Sequence, residues 1–146
     1  MRKGFTLIEM LVVLGILAII FALGFPGLRN YIQASYLRSA VTALAQSLKQ
    51  VGSIALTRSE PYHLNMTVNS GALSWTSDAD TTNTNLVRTT LPYNAQIAGF
   101  DCSNSSNYTL SFTGRGMPTT GCSISVSLNG KTRLVTVLLT GKVVTP

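Results

Sequence analysis

The 146-residue chain is 45% apolar and only 11% charged, whereas soluble domains carry about a quarter charged residues. Its net charge of +6 does not mark a nucleic-acid binder, because from Ser53 onward there are only six basic against four acidic residues and the remaining cations flank an apolar segment. One histidine and two cysteines outside any C-x-x-C pair, with no Ser/His/Asp motif and no Gly-rich phosphate loop, point to neither an enzyme nor a cofactor.

Arg2 and Lys3 lead into an apolar run, Phe5 to Leu28, interrupted only by Glu9. A bilayer-spanning helix needs about 20 residues, so the run is long enough, and the leading cations predict a cytoplasmic N-terminus with the C-terminus outside. A secretory signal is the competing reading, since Ala22-Leu23-Gly24 has a small-x-small pattern that would leave a chain starting at Phe25. The run is longer than an h-region of about 7–15 residues. Glu9 also sits inside it, where a carboxylate costs roughly 2.5–3.5 kcal/mol on insertion scales. A disposable signal gains nothing from that cost.

The segment Gly4-Phe5-Thr6-Leu7-Ile8-Glu9-Met10-Leu11-Val12-Val13 resembles the class III prepilin signal of type IV pilins and type II secretion pseudopilins. The resemblance implies cleavage by prepilin peptidase between Gly4 and Phe5 and N-methylation of Phe5, with the helix retained. It gives Glu9 a task as well. The new Phe5 amine can pair with this carboxylate, within one chain or between neighbours, and pairing removes much of the penalty of two buried charges. Such a pair would set axial register in a helical filament core. Pro26, late in the run, removes one helical hydrogen bond and allows a kink; by the resemblance this is a place where the helix loosens on assembly.

Beyond Arg29 the pattern becomes amphipathic, with Leu37, Val41, Leu44, Leu48 and Val51 at spacings of three and four. Tyr31 and Tyr36 follow the apolar run, where interfacial aromatics are expected. The helix is predicted from about Thr6 to about Thr57, ended by Glu60-Pro61.

From Tyr62 the period becomes two: Tyr62, Leu64, Met66 and Val68 alternate with polar residues. After a turn at Asn69-Ser70-Gly71, Leu73–Thr76 pairs back, and Asp78 to Asn85 is a polar loop. Further strands are predicted at Leu86–Leu91, Gln96–Phe100, Tyr108–Phe112, Ser123–Leu128, Arg133–Leu139 and Lys142–Val144. Asn129-Gly130 is a type I′ hairpin signal. Asp78 and Asp80 are a weak calcium pair, insufficient for a metal assignment. Trp75 and Phe112 read as core or sheet-face packing. Cys102 and Cys122 are either one disulfide or two buried thiols; an exported domain favours the bond, which by chain entropy stabilises by roughly 3 kcal/mol.

The stretch Leu110-Ser111-Phe112-Thr113-Gly114-Arg115-Gly116 and the ending Val137-Leu138-Leu139-Thr140-Gly141-Lys142-Val143 resemble the GspH/FimT group of minor pilins and pseudopilins. Lys142 stands where that group usually has arginine, without the bidentate fork. The alternative implied is a FimT-like DNA receptor using Lys131, Arg133 and Lys142. Against it stands a bland reading, in which these residues guard a strand edge.

The expected architecture is α+β, a long N-terminal helix on an antiparallel sheet or small β-sandwich. It divides into a leader (1–4), a membrane and assembly helix (5–28), an amphipathic helical half (29–57) and a β-rich domain (58–146). The expected role is a minor pilin or pseudopilin that initiates or caps a filament. It would be stored in the bacterial inner membrane with its C-terminal domain in the periplasm. Its partners would be prepilin peptidase, other pilins or pseudopilins, an inner-membrane assembly platform and, in the alternative, DNA.

Overall fold

The computed structural model describes residues 5–79, 87–102 and 108–145, and for residues 23–26 the backbone alone. Two compact units are distinguished, Met1–Ala34 and Ser35–Pro146. Helix α1 spans Leu7–Arg58.

In the first unit every described side chain from Leu7 to Ile32 is exposed. The helix is long and apolar enough to cross a membrane, and none of its most apolar window is buried. In the second unit the helix has two distinct faces. Leu37, Ala40, Val41, Leu44, Leu48, Val51 and Ala55 are buried, the stripe expected from the three-and-four spacing. A leucine buried in this way contributes about 1.5–3 kcal/mol. The helix ends in a Schellman motif: the Glu60 amide donates to the Ala55 carbonyl (3.2 Å) and the Ser59 amide to that of Leu56 (3.3 Å). Ser59 takes the left-handed conformation this requires, at φ 55°. Pro61 follows, but the stop itself is made by Ser59.

Among the described residues eight strands follow: β1 Tyr62–Met66, β2 Ala72–Ser77, β3 Val87–Thr90, β4 Gln96–Cys102, β5 Thr109–Phe112, β6 Cys122–Leu128, β7 Lys131–Val137 and β8 Val143–Val144. They form two four-stranded sheets, ordered β3-β2-β1-β5 and β4-β6-β7-β8, with every strand pair antiparallel. The sheets meet at Val68 and Ile97, where the Asn69 amide donates to the Ile97 carbonyl and the Ile97 amide to that of Ser70, both at 2.9 Å. One core joins the helical stripe to the inner faces of both sheets. Alternation is strict in β1 and β6, where Tyr62, Leu64, Met66 and Cys122, Ile124, Val126, Leu128 point inward.

Some boundaries differ from expectation. Strand β4 extends to Cys102, and a register shift between Ile97 and Gly99 bulges it against β6. Strand β7 begins at Lys131 and ends at Val137, two residues ahead of the predicted span at each end. The cause at its start is the tight turn: Asn129 and Gly130 both have positive φ (50° and 78°), so Leu128 pairs directly with Lys131. At its end Leu138 and Leu139 belong to the turn closed by the Gly141 amide on the Leu138 carbonyl. Leu86, most of the polar loop and Asp80 lie outside the described residues.

Candidate functional site

The N-terminal segment begins with a cap. Thr6 precedes the helix, and the Glu9 amide donates both to the Thr6 hydroxyl (3.3 Å) and to the Thr6 carbonyl (3.1 Å). Thr6-Leu7-Ile8-Glu9 thus has the T-x-x-E spacing of a capping box, a signal that hydropathy alone passes over. Glu9 falls in the first helical turn, where the helix dipole favours a negative charge. Phe5 is exposed ahead of the cap. Gly4 lies outside the described residues. Pro26 lies within the span of α1.

In the second unit the two cysteines form a disulfide, Cα atoms 4.4 Å apart. They face each other in the β4–β6 register, so the bond ties the last pair of that ladder. Trp75 and Phe112 are buried, packing residues as their alternation suggested.

The three cations considered for DNA do not form one cluster. Strands β7 and β8 do pair, but only at Thr136↔Val144 and Val137↔Val143. Lys142 therefore sits beyond the end of β7 opposite to Lys131, about 20 Å away along the strand at 3.3 Å per residue.

Two arrangements were hidden from sequence. Tyr36 does not stand alone after the apolar run: it stacks on Tyr93 with ring centroids 4.2 Å apart. Tyr93 and Asn94 are both left-handed (φ 60° and 56°), which places that ring against the helix. Secondly, sheet pairing sets Ser111 opposite His63. The His63 Nδ1 is 2.8 Å from the Ser111 hydroxyl, and its Nε2 meets the Asp78 carboxylate. The order resembles a hydrolytic triad, but the row lies on the outer face of a sheet. The Ser111 carbonyl accepts from the Thr119 amide (2.9 Å) and hydroxyl (3.2 Å), which ties the row to the loop after β5. The row acts as a polar clasp between β1, β5 and the end of β2.

Comparison with known proteins agrees with this geometry. Residues 1–25 match the prokaryotic N-terminal methylation motif. A stretch of 46 residues is 44% identical to the prepilin peptidase-dependent protein D of Escherichia coli (strain K12). That match covers 32% of this chain and 29% of that protein. Solved structures share the fold, and two of them align as follows. The minor pseudopilin EpsH from the type 2 secretion system of Vibrio cholerae aligns with a TM-score of 0.57 at 15% identity, over 75% of this chain and 95% of that one. The type IV minor pilin FimU of Pseudomonas aeruginosa aligns with a TM-score of 0.61 at 16% identity, over 80% and 92%.

Proposed function

We propose that this chain, with an N-terminal methylation motif on a fold shared with a minor pilin and a minor pseudopilin, is itself a minor pilin or pseudopilin: a membrane-stored subunit that helps initiate or cap a filament. The observation that carries the reading is the division of α1. Its second half is covered by its own domain, while its first half exposes apolar residues all round and needs lipid or other helices to cover them.

In this reading prepilin peptidase cuts between Gly4 and Phe5, and the helix stays in the inner membrane with the β-rich domain in the periplasm. The cleaved Phe5 amine then lies one residue ahead of the Thr6 cap. A cation there adds to the positive end of the helix dipole, and Glu9, in the first turn, is the acid within reach to offset it. In an apolar packed core an amine and a carboxylate that find each other lose much of their desolvation cost. Pairing between neighbouring subunits fixes their axial offset. Pro26 supplies a place where the helix adapts to its neighbours.

Mass spectrometry of the native protein tests the processing step. A mature chain beginning at N-methylated Phe5 is expected; one beginning at Phe25 would overturn the proposal. Glu9→Ala tests the pairing: the variant should reach the membrane yet be excluded from filaments, and normal incorporation would reject the role given to Glu9.

A further inference from the structure

A groove of about 330 Å³ runs along the second half of α1, between the loop after β5 and the β7–β8 turn. Its base exists because two glycines let backbones touch. A Cβ at Gly52 would lie 3.0 Å from the Gly116 carbonyl oxygen, and one at Gly116 only 2.5 Å from that of Gly52. Gly116 is left-handed besides, at φ 73°. The loop is braced internally by the Thr113 amide on the Met117 carbonyl and the Gly116 amide on that of Thr113, both 2.8 Å. Arg115 of this loop and Lys49 of the helix both line the groove.

The walls combine two chemistries. Leu56 and Met117 are 60% and 50% exposed, and with Phe112 and Val143 they line an apolar trough. Lys49 and Arg115 line it too, and among the described residues no carboxylate does. Glu60, just past the helix, turns instead to the Ser77 hydroxyl at 3.3 Å. From Lys49 to Leu56 the helix rises about 10 Å, the length of about three extended residues. The volume stands at the small end of the roughly 300–1,000 Å³ of ligand sites.

We infer that this groove docks an extended acidic segment of a partner protein, seating one apolar side chain over the Gly52–Gly116 contact while Lys49 and Arg115 engage its flanking carboxylates. The two glycines close helix and loop into a backbone floor beneath the anchor, and the two cations, with no carboxylate among the described lining residues, select the sign of its neighbours. The inference concerns the second unit alone and does not depend on filament assembly.

The test is fluorescence anisotropy of a dye-labelled pentapeptide alternating aspartate and leucine, titrated with the full chain in neutral detergent, with protein-free micelles as blank. Saturable binding is expected, weakened about tenfold or more in a Lys49→Ala/Arg115→Ala double variant. Thr140→Trp, which fills the trough from an exposed position and leaves both cations, should abolish it. Equal binding of a lysine–leucine pentapeptide, unchanged binding by either variant, or no binding at millimolar peptide overturns the inference. So does a labelled DNA duplex that binds through the same cations where the peptide does not.

Discussion

The two halves of α1 are one helix written for two surroundings. The first half is predominantly apolar, and from Leu7 to Ile32 every described side chain is exposed. The second half gathers most of its apolar residues into one buried stripe that shares a core with both sheets, Leu56 and Tyr36 being left exposed. The same residue type therefore carries different meaning on either side of the boundary: a leucine in the second half stabilises the fold, and one in the first half is available to whatever lies outside the chain.

The sharpest way to break this contrast is a matched pair of truncations. Leu48→Ala should cost the second unit about 2–5 kcal/mol in denaturant unfolding, because it opens a cavity in a shared core. Leu14→Ala should change that same transition by less than about 0.5 kcal/mol. Equal effects would erase the distinction. Next in size, Cys102→Ser/Cys122→Ser should lower stability by roughly 3 kcal/mol for a 20-residue separation, again within the second unit only. Tyr36→Ala should cost about 0.5–1.5 kcal/mol through the lost stack on Tyr93, whereas Tyr31→Ala, exposed in the first unit, should leave that unfolding transition unchanged. The smallest expected effect is a gain. Ser59→Gly relieves a left-handed residue at the helix end and should stabilise by a few tenths of a kcal/mol.

The buried stripe was legible in the sequence because helical spacing repeats a local signal every turn, and Leu37, Val41, Leu44, Leu48 and Val51 all proved buried. The strands were legible for the same reason at period two. Their ends were not, since those are set by turns and partners: Lys131 is in β7 only because Asn129-Gly130 turns so tightly, and Leu138 leaves it only because Gly141 turns the chain back. A small sandwich was one of the two expected arrangements, but which strands share a sheet was out of reach, as it depends on which strand finds which. For the candidate site, the motif around Gly4, Phe5 and Glu9 was plain in the residue order. The Thr6 cap was legible and overlooked. Residues brought together from far apart could not be read: His63 with Ser111, Tyr36 with Tyr93, and the two glycines at the base of the groove.

The Thr6 cap has one more consequence. Because α1 starts only at Leu7, the peptide bond ahead of Phe5 lies upstream of the first helical hydrogen bonds. A cut there would leave the Thr6 cap and every hydrogen bond of the helix behind it in place, so that the anchor outlives the trimming that frees it.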